Sequence, residues 1–395
     1  MIRLLFLFLL LFPSVAAAQT ETKAAFIRNN QLWLLEESRE TQLTKYTGIV
    51  HAPQWSHDGM LLSYQKENPA GKNEIWIYDL KTKRHKRAFD NGFNVQWAPR
   101  DNRLAFQDMG VLNIFEHGAF RNAALGVGSY TWLPDGSGFL LSANASLQPD
   151  GWTTPILYKK KLSDTADLSS GVTPFFTIPK KQDVLAVTAE DFRLSPSGRW
   201  YSFILAPTAS LAMDENQLCT LSADGTEFER VAIVASGVGR PQWAYSHDIL
   251  AYIAGNGRIV FGFKNKQLGV KAMPASLTPN NYAELDFTWT SDASIVTSRV
   301  REAEWDNDAG KHPRPVLYSV DIKSGRQTRL TEPPPGFGDY NPQYVRSLQK
   351  LIWYRSSSLF DNRQVWTANR DGSGAREWLQ NVDSLVFFEP QTLQN

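Results

Sequence analysis

The sequence predicts an all-β fold, a β-propeller of eight four-stranded blades. A short strand that ends in a bulky residue, usually Trp, and runs into a tight turn recurs along the chain. A period in the forties with β-type patterns and turns is typical of a propeller or WD40-like array. Seven blades is the alternative, if one weaker copy is not a blade. The bulky residue, here called the Trp slot, falls at positions 55, 97, 132, 194, 243, 289, 344 and 388.

Each repeat has the pattern of four consecutive strands. After Trp132 comes the turn Pro134-Asp135-Gly136, in which Pro sets φ, Asp bonds nearby backbone and Gly accepts positive φ. The apolar strand Phe139-Leu140-Leu141 follows. Third and fourth strands are clearest at Pro315–Tyr318 and Gln327–Leu330. One such blade cannot bury its own faces, so the blades must stack around an axis.

The two ends of the chain together supply one blade. Lys23–Arg28 aligns with Arg103–Asp108, a second strand, and Val386–Pro390 aligns with Val95–Pro99, a first strand. We therefore expect a composite closing blade, with its inner strand from the C-terminus and the other three strands from the N-terminus. Such a blade closes the ring and leaves no open edge.

The first residues have the pattern of a secretory signal. Arg3 precedes the apolar run Leu4–Phe12, and Ala16-Ala17-Ala18 offers a small-residue cleavage site before Gln19. The run is too short to span a bilayer, although an uncleaved anchor is the alternative. We expect a signal peptide over residues 1–18 and a single propeller domain over 19–395. Cys219 is the only cysteine, so no intrachain disulfide can form, which fits a bacterial periplasm.

The charge balance excludes some classes of partner. The chain has 41 basic and 40 acidic residues, so it has no general attraction for nucleic acid or for an anionic membrane. We expect a monomer without a membrane span.

The largest insertions fall between the second and third strands of the repeats. Alternate loops of an up-and-down blade lie on the same face, so these insertions share one rim of the disc with the connections between blades. Insertions concentrated on one face of a repeat protein commonly mark the binding face. The insertions are 66–73, 144–154, 207–216, 300–314 and 356–363.

The most charged insertion carries most of the candidate binding residues. An exposed Trp among charges suits recognition of a protein or a glycan, and the alternative is a Trp folded over its own blade with solvated charges around it. The run Asp306-Asn307-Asp308 resembles the start of a calcium loop, but the required Gly and Glu do not follow. The candidates on the rim are Trp152, Arg301, Glu304, Trp305, Asp306 and His312.

The sequence contains no recognisable catalytic or metal-binding motif. Of the six histidines, only His51 and His312 are expected to reach the insertion rim, and they belong to non-adjacent blades. There is no Gly-x-Ser-x-Gly elbow, phosphate loop or dinucleotide fingerprint. We therefore predict no cofactor, no metal and no catalytic residue.

The run from Trp132 to Leu141 resembles the β-propeller repeat of TolB-like proteins, as does Arg193–Tyr201. The resemblance covers nearly all of the mature chain, and it implies a propeller fold. TolB has six blades and a separate N-terminal α/β domain, whereas here the repeats begin close to the predicted cleavage site. Similar repeats occur in prolyl-oligopeptidase-type peptidases and in oligogalacturonate lyases, whose metal site uses clustered His and Gln. Gln343 matches one such ligand, but the accompanying histidines are missing.

Two functions are consistent with these patterns. The favoured one is a periplasmic, non-catalytic scaffold that binds a protein, a peptide or an envelope glycan on the insertion rim. The alternative is a carbohydrate-active lyase or hydrolase, with acids and arginines of several blades meeting at the mouth of the channel. Convergence of carboxylates, Arg and His within hydrogen-bond distance in the channel would favour the enzyme, and scattered solvated groups would favour the scaffold.

Overall fold

The computed structural model describes residues 23–149, 151–168, 172–180, 186–207, 216–235, 238–256, 262–271, 276–359, 361 and 363–390. The predicted signal peptide lies outside these residues. The described part of the chain forms antiparallel β-sheets, with one short 3-10 helix at Ala309–Lys311. The predicted all-β, propeller-type fold is confirmed.

Three consecutive groups of strands, here called units 1 to 3, follow the predicted meander. Unit 3 also carries a small separate hairpin between its second and third strands. The strands of unit 1 are β4 (Val50–Trp55), β5 (Leu61–Glu67), β6 (Asn73–Asp79) and β7 (Arg84–Phe89). Those of unit 2 are β8 (Phe93–Trp97), β9 (Leu104–Asp108), β10 (Val111–Glu116) and β11 (Ala119–Leu125). Unit 3 contains β12 (Val127–Trp132), β13 (Gly138–Ala143), the hairpin β14 (Leu147–Gln148) and β15 (Gly151–Trp152), β16 (Ile156–Lys161) and β17 (Pro174–Thr177).

Units 4 to 7 repeat this order of strands. Unit 4 contains β18 (Thr188–Leu194), β19 (Trp200–Ala206), β20 (Asn216–Ser222) and β21 (Phe228–Val234). Unit 5 has β22 (Gln242–Trp243), β23 (Leu250–Ala254) and β24 (Gln267–Val270). Unit 6 has β25 (Tyr282–Ser291), β26 (Ser294–Arg301), β27 (Val316–Asp321) and β28 (Gln327–Arg329), and unit 7 has β29 (Gly338–Val345), β30 (Lys350–Ser356), β31 (Gln364–Asn369) and β32 (Arg376–Leu379).

The closing unit joins the two ends of the chain, as the sequence predicted. Its strands are β1 (Lys23–Arg28), β2 (Gln31–Glu36), β3 (Arg39–Gln42) and β33 (Ser384–Phe387), in the order β3-β2-β1-β33. Ala24 pairs with Phe387 and Ile27 with Ser384. The unit packs on both sides, because Phe26 shares a buried cluster with Tyr354 of unit 7 and Ile27 shares one with Leu62 of unit 1.

Units 4 and 5 are less separate than the sequence suggests. The single pair Val234–Ala254 joins them into one seven-stranded sheet. Unit 5 has only three strands in its described part, and its first strand is two residues long. Counting this sheet as two blades gives the predicted eight, and counting it as one gives seven, so the blade count stays a prediction.

The repeated Trp residues connect neighbouring units. Each indole N–H donates to a backbone carbonyl on the first strand of the preceding unit, which gives a buried or partly buried Trp the partner it requires. The series includes the closing unit, whose Val386 accepts from Trp55. The bonds are Trp55 to Val386 (3.2 Å), Trp97 to Gln54 (3.1 Å), Trp132 to Gln96 (3.2 Å), Trp243 to Arg193 (3.4 Å) and Trp289 to Gln242 (3.1 Å).

The hydrophobic core lies between adjacent units, as stacked blades require. Leu140 of unit 3 packs in one cluster with Phe192 and Phe203 of unit 4. Leu268 of unit 5 shares another with Phe287 of unit 6. The first strands thus bury one set of side chains between the units and leave the alternate set facing the channel that they surround.

Candidate functional site

The insertions lie between second and third strands in the structure. Together with the connections between units they form one face of the disc, here called the insertion face. The opposite face, here called the turn face, carries the turns that follow the Trp slots. The described insertions include residues 68–72 of unit 1, 144–149 and 151–155 of unit 3, and 302–315 of unit 6.

Trp305 is partly buried and packs against the neighbouring insertion. Its ring centroid lies 5.8 Å from that of Phe263, with the planes stacked, and 4.2 Å from that of His312. His312 is itself buried, and its Nε2 lies 2.6 Å from the carbonyl oxygen of Asp306. The amide of Phe263 donates to the carbonyl of Ala303 at 2.9 Å. These contacts give Trp305 and His312 a packing role between units 5 and 6.

The charged candidates of this insertion face solvent. Glu304 is 76% exposed and forms an ion pair with Lys264. Asp306 lies 3.2 Å from the Nζ of Lys311, and the amide of Asp308, followed by Lys311, lowers the pKa of Asp306. The guanidinium of Arg301 is exposed and lies 5.1 Å from the ring centroid of Tyr282. These three charges are therefore available to a partner, but they lack an exposed aromatic residue beside them.

Trp152 is on a different insertion and is exposed. It pairs with Leu147 in the small hairpin of unit 3, where Leu147 is 67% and Trp152 47% exposed. The structure therefore does not bring Trp152 together with the five candidates of unit 6.

A set of exposed apolar side chains that sequence reasoning missed lies on the same face as this hairpin, and we call it the patch. Among the described residues, eight large hydrophobic side chains are exposed, and six of them lie on the insertion face of units 1 to 3. Met60 and Phe120 are the two near the turn face. Met109, at 92% exposed, occupies a tight turn with positive φ, where a bulky apolar residue is uncommon; that signal was present in the sequence. The patch consists of Ile49, Phe93, Met109, Leu125, Leu147 and Trp152.

The channel has a polar lining that also escaped sequence reasoning. In units 1 to 7 the residue before the Trp slot lines the channel, because side chains alternate along a strand. The signal was visible as Gln-Trp in Pro53-Gln54-Trp55, Val95-Gln96-Trp97 and Pro241-Gln242-Trp243. Cavities of about 820, 700, 500 and 960 Å³ share lining residues along the channel. We call the set in units 1 to 7 the collar: Gln54, Gln96, Thr131, Arg193, Gln242, Thr288 and Gln343. In the closing unit Phe387 instead stacks on Trp378, because its pairing with Ala24 puts it in the Trp slot that the sequence assigned to Phe388.

Charged groups of units 4, 5 and 6 also meet in the channel. Asp191 lies 3.3 Å from a guanidinium nitrogen of Arg193 and 3.3 Å from one of Arg240. The carboxyl of Asp286 accepts from the amide of Phe287 at 2.8 Å. Burial raises the pKa of Asp286 to about 7, although this residue keeps some contact with the channel. One carboxylate and two arginines thus converge in the channel, which fulfils part of the condition that would favour an enzyme.

The described residues contain no group of three or more His, Cys, Asp or Glu that could hold a metal ion. None of the helices in the described ranges is long and apolar enough to cross a membrane.

The chain shares its fold with proteins of known structure but not its sequence. No protein-family model matches it, and no curated protein is significantly similar. The haem d1-related dehydrogenase NirN is 13% identical, with a TM-score of 0.57 over 93% of this chain and 75% of that one. A prolyl endopeptidase is 14% identical, with a TM-score of 0.54 over 86% of this chain and 50% of that one. Such similarity shows a propeller-type fold alone.

TolB from Acinetobacter baumannii is also similar, at 12% identity over 93% of this chain and 66% of that one. Its TM-score of 0.39 is too low to support an argument. The chain thus spans about half to two thirds of the length of the TolB and prolyl endopeptidase chains.

Proposed function

We propose that this chain is an exported periplasmic scaffold of the TolB-like type, which binds a protein partner on the insertion face without catalysing a reaction. The asymmetry of the exposed apolar side chains carries the proposal. Six of the eight large ones in the described residues lie on one face of three consecutive units. A concentration of exposed apolar side chains marks an interaction site, whereas single scattered ones need no explanation.

The chemistry of the patch favours a protein over a glycan on this face. Trp and Met are enriched in the cores of protein–protein interfaces, and a buried Trp is a frequent source of binding energy. Trp152 and Leu147 stand on a short hairpin that projects from unit 3. The charges of the unit 6 insertion, such as Arg301 and Glu304, belong to another unit of the same face, so the proposal does not depend on them.

A matched pair of variants tests this face. Met109→Asn/Leu147→Ser removes two apolar side chains and keeps a residue that tolerates positive φ at position 109. Met60→Ser removes an exposed apolar side chain near the turn face. The parent and Met60→Ser should capture the same periplasmic partner, and the patch variant should lose it. The captured protein is then purified and its affinity measured directly. Equal capture by both variants would contradict the proposal.

Export is tested separately. The signal pattern predicts a mature protein that begins at Gln19. Fractionated cells should yield the protein in the periplasmic fraction, with an intact mass that matches residues 19–395. A mass that includes residues 1–18 would indicate an uncleaved anchor instead.

A carbohydrate-active enzyme remains the second candidate, favoured by the contact of Asp191 with Arg193 and Arg240. Its test is turnover of an oligosaccharide panel by the parent. Activity that disappears in Asp191→Asn, while the melting temperature is kept, would replace the scaffold proposal.

A further inference from the structure

The collar gives the channel a repeated hydrogen-bonding surface. Gln54 and Gln343 line the channel, and their side chains have no hydrogen bond to another residue in the described part of the chain. The Nε2 of Gln242 donates to the carbonyl of Phe287 at 2.9 Å, which fixes the amide and orients its oxygen. Each amide offers two N–H donors and an acceptor oxygen. Units 1, 2, 5 and 7 therefore present a Gln amide at the same strand position, and units 3 and 6 present the hydroxyls of Thr131 and Thr288.

On β18 and β25, strand alternation keeps apolar side chains out of this surface. On β25, Asp286 and Thr288 are partly exposed, whereas Phe287 and Trp289 are buried between units. On β18, Phe192 is buried in the same way, between Asp191 and Arg193. At these two strands the channel thus offers no apolar pocket for the side chains of an extended peptide.

The charges in this part of the channel balance. Arg193 and Arg240 face Asp191, which lies within 3.3 Å of both, and Glu190 lines the same cavity. Asp286 is the remaining charged group of the neighbouring cavity, and its raised pKa favours the neutral form below about pH 7. A polyanion or polycation therefore gains no net attraction there.

Several channel residues are held in a strained backbone conformation. β-bulges interrupt β8, β18 and β29, and Asn94, Asp191 and Asn341 in these bulges have φ of 49°, 54° and 48°. All three line the channel cavities. Bulges re-aim side chains and occur next to functional sites, where a non-Gly residue with positive φ stores strain.

We propose that the central channel binds an uncharged oligosaccharide through the collar amides. The hydroxyls of a sugar both donate and accept, so they match the amides of units 1, 2, 5 and 7 and the hydroxyls of Thr131 and Thr288 along the channel. The balance of charge around Asp191 disfavours a uronic acid chain there, and the polar surface of β18 and β25 disfavours the apolar side chains of a peptide. This proposal does not rest on the protein-binding face, which uses other residues.

Calorimetric titration of the mature protein tests the channel. The probes are maltohexaose, cellohexaose and chitohexaose, with hexagalacturonate as the charged comparison and an Ala-Gly hexapeptide as the peptide comparison. The variant is Gln54→Leu/Gln343→Leu, which replaces two channel amides with apolar side chains of similar volume. The control is Gln148→Leu, which changes an exposed Gln of the unit 3 hairpin. Melting temperatures establish that all forms are folded.

At least one neutral hexasaccharide should bind saturably, with a dissociation constant below about 10 mM. The double collar variant should bind it about tenfold more weakly or worse, since two hydrogen bonds are lost. Gln148→Leu should bind like the parent. Failure of all three neutral probes, binding of only the charged probe or only the peptide, or equal affinity in the collar variant would overturn the proposal. Protein capture by the collar variant should be unchanged, so the two proposals can fail separately.

Discussion

Asp286 has a buried carboxyl in the channel, and its ionisation links pH to stability. Its folded-state pKa of about 7 lies above the ordinary value of 3.8 because burial disfavours the charge. Below about pH 4 the carboxyl is protonated in both the folded and the unfolded state, so it does not affect the free energy of unfolding. As pH rises from 4 to 7, the unfolded state releases the proton first, so folding stability falls. Above pH 7 the folded state carries the full penalty of a buried charge.

Asp286→Asn should therefore stabilise the protein by about 2–4 kcal/mol at pH 8 and by close to zero at pH 4. The amide oxygen of Asn can still accept from Phe287. Chemical denaturation at pH 4, 5.5 and 8 measures the difference. If the variant gains the same stability at all three pH values, the charge of Asp286 is not the origin of the gain.

The ion pair of Asp339 with Arg355 is a second residue-scale test, because both groups are buried. Asp339 accepts from the Nε and Nη2 of Arg355 at 2.7 and 2.9 Å and from the indole of Trp353 at 2.9 Å. Asp339→Ala should cost about 3–5 kcal/mol, since it leaves a buried guanidinium uncompensated. Glu304→Ala breaks the exposed pair with Lys264 and should leave the free energy of unfolding nearly unchanged, because solvent screens exposed ions. Equal losses in urea unfolding would contradict this distinction.

At the scale of the elements, the insertions of units 3 and 6 have different roles. Trp305 packs between units 5 and 6, whereas Trp152 stands exposed on its hairpin. We expect Trp305→Ser to cost about 2–3 kcal/mol, the value of a largely buried large apolar side chain. Trp152→Ser should change stability by less than about 0.5 kcal/mol and should instead weaken partner binding. Thermal melts of both variants measure the loss of stability. A larger loss for Trp152→Ser than for Trp305→Ser would contradict the packing role of Trp305.

This contrast shows which part of the site could be predicted from the sequence. The insertion of unit 6 was recognisable from its charges and its position between strands. The burial of Trp305 was not, since it depends on Phe263 of another unit, about 40 residues earlier in the chain, and tertiary contacts of this kind leave no local pattern. The exposure of Met109 and the collar could have been found, because a tight turn and a repeated Gln-Trp pair are local signals.

At the scale of the whole molecule, the order of the sheets could be predicted. The Trp slots identified first strands, and matching Lys23–Arg28 to a second strand led to the composite closing unit, which the pairing of β1 with β33 confirms. The number of blades could not be decided. Unit 5 has a two-residue first strand and shares a sheet with unit 4, so it can be counted either as a separate blade or as part of unit 4.

Removal of residues 381–395 tests ring closure. The deletion removes Val382 and Leu385, which are buried, together with Phe387 and Phe388, which are only partly buried, and so exposes the apolar side chains that pack on them. It also removes the bond from Trp55 to Val386 and the ladder to β1. We expect a loss of several kcal/mol, because each fully buried Leu or Val contributes roughly 1.5–3 kcal/mol and the open edge loses further hydrogen bonds. Calorimetry should show a clearly lower melting temperature than the parent, and unchanged melting would contradict closure by this strand.

Site-specific photo-crosslinking in intact cells is the most direct test of the insertion face as a protein-binding surface. A photoreactive amino acid is placed singly at Met109, Leu147 or Trp152 on the insertion face, and at Met60 near the turn face as the control. The account predicts one shared protein adduct from the three insertion-face positions and none from Met60. Adducts from Met60 alone, equal labelling from both faces, or no protein adduct from the insertion face would contradict it.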